Sequence, residues 1–177
     1  EKKEKIVVYG DYDVDGICAS VTLYQGLQAL DANVAYYVPD RMEEGYGVNT
    51  PALRTIFDEG ARLLVTVDCG ISSWQEVAAG KEWGMDVSVT DHHQLPDILP
   101  DCIIVNPVLS NDERDKWRYL CGTGVAFKVV QGLFARYYEK DGFLDRMRPF
   151  LDLAALATVA DIVPLKGDNR VLVKFGL

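Results

Sequence analysis

Residues 5–30 read KIVVYGDYDVDGICASVTLYQGLQAL, and the fold turns on this stretch. Ile6, Val7, Val8 and Tyr9 make a short continuous apolar run closed by Gly10, the pattern of a strand buried on both faces. From Asp15 to Leu30 the period changes. Apolar side chains at Ile17, Val21, Leu23, Leu27 and Leu30 recur at helical spacing. Between strand and helix stand three carboxylates, Asp11, Asp13 and Asp15. A spacing of two along an extended segment turns all three to one side.

The same alternation continues outward. Asn33 to Val38 reads as the next strand. Thr50-Pro51 opens a helix, with Thr50 as N-cap and Pro51 at the first helical position, and Gly60 closes it. Leu63 to Val67 is a strand, Ser73 to Gly80 a helix, Val87 to Val89 a strand, and Ile103 to Val105 another. Beyond a polar excursion from Asn106 to Arg118 the pattern is helical, over Gly124 to Tyr138 and Phe143 to about Ala160. These elements predict an α/β fold: a mostly parallel β-sheet of about five strands flanked by helices, with a helical C-terminal portion. Ligands of such sheets sit beyond the carboxyl ends of the strands.

The totals agree with one soluble domain: 177 residues, 49% apolar and 25% charged. No apolar run is long enough for a membrane helix, and the opening EKKEKIVVYG has no signal-peptide pattern. The expectation is a cytoplasmic protein with no membrane association. Cys18, Cys69, Cys102 and Cys121 form no C-x-x-C pair, which predicts reduced, mostly buried thiols. The net charge of −9 argues against broad nonspecific nucleic-acid binding, a constraint that any nucleic-acid reading must meet.

The chemistry collects at strand ends. Asp68 follows the third strand in VTVDCG, and Asp91, His92 and His93 follow the fourth in VTDHH. Three strands therefore end in carboxylates or imidazoles on one edge of the sheet. Crowded carboxylates repel, and a cation resolves the repulsion. Oxygen-rich sites with one or two imidazoles suit Mn²⁺ or Mg²⁺. Two such ions about 3.5–4 Å apart, bridged by a carboxylate, are the usual arrangement for phosphoester hydrolysis. Each piece alone has a plainer reading. GDYDVDG matches the start of a calcium loop, yet no Glu stands at the twelfth position and a strand precedes it. Asp is common at strand ends, and a His pair can be a surface feature. The three pieces together, each behind a strand, favour a metal centre.

At these residues a family becomes visible. GDYDVDG (10–16), VTVDCG (65–70) and TDHH (90–93) resemble motifs one to three of the DHH phosphoesterases, and ATVADIVPL (157–165) resembles the fourth. PDRMEEGYGVN, DCGISS, TDHHQLPDILPDCIIVNP and CGTGVAFKVVQGL are similar to segments of the RecJ branch, the single-strand-specific DNA exonucleases. The resemblance runs from about Lys5 to Leu177. It implies that Asp13 binds a first ion, that Asp15, His92 and Asp161 bind a second, and that Asp68 bridges the two. It further implies that Asp11 assists the first ion directly or through water. His93 would face the substrate phosphate as acid or hydrogen-bond donor, and Asp91 would orient a neighbouring imidazole. Many relatives carry a His where Tyr9 stands, and the RecJ branch generally does not. The first ion would then be short of ligands, with water or Asp11 completing it. Arg41 either contacts substrate phosphate or forms a salt bridge to Glu43 or Glu44. Gly122 and Gly124 allow a tight turn before a helix, which either receives a phosphate or serves packing alone.

The resemblance also implies an organisation. Residues 1–166 would be the catalytic domain, and 167–177 the start of a helix leading to a DHH-associated (DHHA1) domain. That domain and an oligonucleotide-binding fold would carry much of the substrate grip, which answers the acidity. As a fragment, the chain would show weak or absent processive nuclease activity. The implied activity is metal-dependent hydrolysis from the 5′ end of single-stranded DNA, releasing 5′-mononucleotides in repair and recombination. Two alternatives stand beside it. One is a small-substrate DHH phosphoesterase acting on short oligoribonucleotides, cyclic dinucleotides or pyrophosphate. The other is a catalytically silent scaffold. Tyr9 and the GYG loop favour the RecJ branch, and the intact acidic set favours activity.

Overall fold

The structure is a computed structural model and describes residues 3–42, 44–110, 112, 115–138 and 142–177. Five strands, β1 (Lys5–Tyr9), β2 (Val34–Tyr37), β3 (Ala61–Val67), β4 (Asp86–Thr90) and β5 (Ile103–Val105), form one sheet in the order β2-β1-β3-β4-β5. Every pairing is parallel, as the alternation of strands and helices predicted. Successive side chains of a strand face opposite ways, so β1 and β3 each feed two cores. Val7, Tyr9, Leu64 and Val89 pack with α2 (Thr50–Asp58) and α3 (Trp74–Glu82). Val8 and Val67 pack with α1 (Val14–Gln28), α4 (Gly122–Tyr137) and α6 (Leu151–Ala160). Burial on both faces is why β1 and β3 carry unbroken apolar runs, Ile6–Tyr9 and Leu63–Val65, whereas β4 alternates polar and apolar residues. Leu64 is completely buried, so Leu64→Ala is expected to cost about 2–5 kcal/mol. A denaturant midpoint measured against the wild type checks this.

Three local expectations are corrected. Asn49, not Thr50, caps α2: its side chain accepts the Ala52 N–H at 2.8 Å, and Thr50 is already helical. The stretch Phe143 to Ala160 is not one helix. It divides into α5 (Phe143–Met147), a 3₁₀ turn over Arg148–Phe150, and α6, because Pro149 has no N–H to continue the ladder. The buried face of α1 carries Asp15, Ala19, Thr22, Leu23 and Gly26, whereas Ile17 is 46% exposed. Small side chains on that face let α4 come close: a Cβ on Gly26 would lie 2.5 Å from Val130 Cγ2.

A last helix, α7 (Asp168–Gly176), packs on α6 and sends Leu172 into the core. Cys18, Cys69 and Cys121 are buried free thiols, as expected, and Cys102 is half-buried. Among the described residues no helix is long and apolar enough to cross a membrane.

The strand order decides where a ligand can sit. The sequence runs outward from β1 on both sides, to β2 and to β3. Helices depart from the sheet on opposite faces there, which opens a crevice at the carboxyl ends. The segments after β1, β3 and β4 lie side by side at that crevice and hold residues 11–15, 68 and 91–93.

Candidate active site

Each acidic side chain is placed by a local device. Asp11 follows β1 and is 4% exposed, and its Oδ1 accepts the Tyr12 N–H. Asp13 caps α1 by accepting the Gly16 N–H at 2.8 Å. Asp15, in the first turn of α1, is held from across the fold. Its Oδ2 accepts the Gly122 N–H at 2.6 Å and its Oδ1 the Thr123 N–H at 2.7 Å. The positive end of α4 therefore receives a carboxylate of the chain itself, which decides how the Gly122–Gly124 turn is used. Gly122 has a second duty. A Cβ there would fall 2.5 Å from Asp68 Cβ and 2.6 Å from Asp68 Cγ, so only glycine lets α4 begin against that side chain.

Asp68 ends β3 with φ +60°, in the left-handed region that Asp tolerates better than most residues. The turn delivers its carboxylate into the crevice. Asp161 arrives from the opposite direction, as the C-cap of α6. His92 Nε2 stands among three carboxylates, 3.1 Å from Asp68 Oδ1 and 3.7 Å from both Asp15 Oδ2 and Asp161 Oδ2. Three overlapping groups of potential ligands result: Asp11, Asp13 and Asp68; Asp15, His92 and Asp161; and Asp68, His92 and His93. Within each, the ligand atoms lie within 4.8 Å of one another. The structure thus brings together all six residues expected as metal ligands, with Asp68 shared between groups.

Asp91 is fully buried, and its part is to hold rather than to reach. Its Oδ1 accepts the backbone N–H groups of His92 and His93 and the His93 Nδ1–H at 2.7 Å, while Oδ2 accepts the Ile71 N–H. The imidazole of His93 is thereby fixed with Nε2 directed away from Asp91. Tyr46 stands beside it, its hydroxyl 3.4 Å from Nδ1 and its ring edge-on at 76°. Tyr46 lies in the quoted GYG segment but received no role from the sequence. An aromatic between two glycines was the available signal.

Electrostatics mark the centre as frustrated. Burial pushes Asp68 up to about 7, with the Asp15 and Asp13 carboxylates adding to it and His92 opposing. Burial likewise raises Asp11 and Asp161. Burial lowers His92, yet the carboxylates of Asp68 and Asp15 outweigh it and leave the imidazole above its usual value. His93 is pushed up to about 9, first by its hydrogen bond to Asp91. Burial would raise Asp91, but the donated hydrogen bonds hold it below the usual carboxylate range. Among the described residues, Asp68 Oδ1 and Asp161 Oδ2 are buried without a hydrogen-bond partner. His92 Nε2 is close to the first but not aligned for such a bond. Orphaned buried carboxylate oxygens beside an imidazole are the donor set of a divalent cation.

Arg41 is exposed, with its guanidinium 5.3 Å from the centre of the Tyr12 ring. Glu44, one partner considered for it, is engaged elsewhere: it accepts from the Tyr37 hydroxyl, the Asn49 amide and the Asp40 N–H. Glu43, the other, lies outside the described residues.

Comparison with known proteins agrees with this geometry. The model for the DHH family, N-terminal domain, matches residues 5–158. The single-stranded-DNA-specific exonuclease RecJ of Bacillus subtilis is 41% identical over 177 residues, covering 99% of this chain and 21% of that protein. The RecJ of Haemophilus influenzae is 41% identical, covering 100% of this chain and 32% of that protein. The chain therefore spans about a fifth to a third of the length of these relatives. Among solved structures, an exonuclease RecJ bound to manganese superposes with a TM-score of 0.88 at 39% identity, over 99% of this chain and 43% of that one. A RecJ from Thermus thermophilus in complex with Mn²⁺ gives a TM-score of 0.82 at 35% identity, over 99% of this chain and 24% of that one.

Proposed function

We propose, from the premise that this chain belongs to the DHH family, that it is the catalytic domain of a RecJ-like exonuclease hydrolysing single-stranded DNA from the 5′ end. The observation that carries the reading is the pair of orphaned oxygens on Asp68 and Asp161, set among Asp11, Asp13, Asp15 and His92. Asp13 and Asp68, with Asp11, would hold one divalent ion. Asp15, Asp68, His92 and Asp161 would hold a second. Such ions supply an activated water and neutralise charge on the phosphoryl oxygens. The remaining work belongs to the protein. His93, whose hydrogen bond to Asp91 favours the protonated imidazole, faces the phosphate and gives a proton to the 3′ oxygen as it leaves. Asp91 fixes the tautomer and direction of that imidazole. The α4 amides keep the Asp15 carboxylate oriented while leaving each oxygen a free lone pair. Arg41 is assigned to the substrate phosphate. Residues 1–166 form the catalytic unit and 167–177 lead towards a DHHA1 domain. Further domains of the same protein supply the grip on DNA that a net charge of −9 does not.

A pH dependence follows. Asp68, raised from 3.8 to about 7, gives the metal-free chain stability that is complete below 3.8 and lost as the pH rises through about 7. His93, raised from 6.5 to about 9, contributes in the same sense, fully below 6.5 and lost through about 9. The metal-free chain is therefore expected to melt at lower temperature as the pH climbs from 6 to 9. Because the ion must displace a proton from Asp68, Mn²⁺ should raise the melting temperature more above pH 7 than below it. Its binding constant should gain about tenfold or more per pH unit below 7, since His92 as well as Asp68 gives up a proton to the ion. Calorimetry across this range measures both effects.

The function is tested by incubating the chain with Mn²⁺ and 5′-labelled single-stranded DNA, matched duplex and an RNA dinucleotide. Slow, non-processive release of mononucleotides from the single strand alone is expected. Preference for the dinucleotide would instead assign a small-substrate phosphoesterase.

A further inference from the structure

Between β5 and α4 runs an apolar groove of about 640 Å³. Val105, Leu109 and Trp117 line it from the sheet edge and the loop beyond, and Val125, Val129 and Gly132 from α4. Val105, Leu109 and Trp117 are 40–44% exposed, so large apolar side chains stand open to water there. The spacing of Val125, Val129 and Gly132 puts them on one face of the helix. That face is small at Gly132, where a Cβ would meet nothing within 4 Å.

The backbone beside the groove identifies the kind of occupant. β5 ends the sheet, so its outer edge has no partner strand. Val105 gives its C=O to the Asp91 N–H, on the β4 side. Neighbouring residues of a strand direct their backbone groups oppositely, so Ile104, which also lines the groove, turns its N–H and C=O to the open edge. Among the described residues no backbone partner meets them there. An unpaired donor and acceptor beside an apolar trough suit an extended peptide, which supplies both backbone groups and alternate side chains. A nucleic-acid strand would lay phosphates against these apolar walls at the cost of their hydration.

Charge narrows the choice of peptide. The Lys116 and Lys128 ammonium groups lie 5.8 and 5.5 Å from the centre of the Trp117 ring, and the Arg118 guanidinium donates to the Ser110 C=O nearby. The acids among them are engaged, Asp115 with the Trp117 N–H and Asp168 with Lys128 and the indole N–H. This side of the groove belongs to the basic part of an acidic chain. Residues after Glu113 hold eleven of the eighteen Lys and Arg but only seven of the twenty-seven Asp and Glu. We infer that the groove between β5 and α4 docks an extended segment of a partner protein, apolar at alternate positions and flanked by Asp or Glu, which adds to the sheet edge at Ile104. Its apolar side chains enter between Val105 and Val129, and its acidic flank meets Lys116 and Lys128.

¹⁵N-labelled chain is titrated with a synthetic peptide of alternating Val and Thr led by a run of Asp, and followed by NMR. Shifts at the amides of Ile104 and residues 128–135 are expected, with the amides of β1 and β2 unmoved. Gly132→Leu, which fills the groove from an exposed position, should weaken binding about tenfold or more while leaving Mn²⁺ binding unchanged. Ile104→Pro, which removes the outward N–H where an edge strand tolerates proline, should weaken it as well. The wild-type map stands by itself should that variant fold poorly. A peptide with Lys in place of Asp should bind about tenfold more weakly. Cleavage plays no part in these readouts, so failure of the hydrolytic reading leaves the test standing. Equal binding of the acidic and basic peptides, or no shift at these amides at about 1 mM peptide, would overturn the inference. So would single-stranded oligothymidylate that moves the same amides at a lower concentration than the peptide, which would give the groove to nucleic acid.

Discussion

Asp68→Asn is expected to abolish metal-dependent hydrolysis while leaving the metal-free fold as stable as the wild type, or more so. Asn keeps the size of the side chain and tolerates the φ of +60° at this position, so the β3 turn is preserved. What is lost is one negative charge at the point shared by the Asp11–Asp13 and the His92–His93 groups. Without it neither group holds a cation well, and the lost stabilisation of several kcal/mol corresponds to a rate on the order of a thousandfold lower. The stability side follows from the same burial. A carboxyl pushed up to about 7 is a charge the fold bears at a cost once the pH exceeds that value. Replacing it with a neutral amide removes that cost. A melting curve without metal and a cleavage assay with Mn²⁺ separate the two effects. Equal loss of both would mean that Asp68 serves the fold alone.

Gly122→Ala is expected to weaken Mn²⁺ binding roughly tenfold to a hundredfold, the size of effect seen when groups that orient metal ligands are lost. The added methyl would fall 2.5 Å from Asp68 Cβ, so either the carboxylate moves or the first turn of α4 withdraws. Withdrawal would also pull the Gly122 and Thr123 N–H groups from Asp15. One substitution thus disturbs two ligands that come from different elements, Asp15 at the start of α1 and Asp68 after β3. Gly132 on the same helix provides the contrast. It is exposed and a Cβ there meets nothing within 4 Å, so Gly132→Ala should leave metal binding unchanged and stabilise by about 0.5–1 kcal/mol. Calorimetric titration of both variants checks the pair.

These cases show what could be read in the sequence. The parallel sheet was legible because strands buried on both faces leave unbroken apolar runs such as IVVY, and the crevice followed from topology. Asp11, Asp13, Asp15, Asp68, His92 and His93 were legible because each stands just after a strand. Asp161 was not, by that rule, since it ends a helix. Only the likeness of ATVADIVPL to a family motif pointed to it. The Asp15–Gly122 contact joins residues 107 apart, and no local pattern announces such a pairing. The break at Pro149 and the cap at Asn49 did have local signals, a missing N–H and a side chain able to accept one. The small-residue face of α1 did not follow from hydrophobic spacing, because close helix packing selects size rather than polarity.

The most direct test of the centre is a crystal of this chain grown above pH 7 with Mn²⁺ and measured at an energy where manganese scatters anomalously. Two peaks are predicted, one touching Asp13 and Asp68, the other touching Asp15, Asp68, His92 and Asp161. Manganese bound elsewhere on the surface, with no peak at Asp68, would contradict the account.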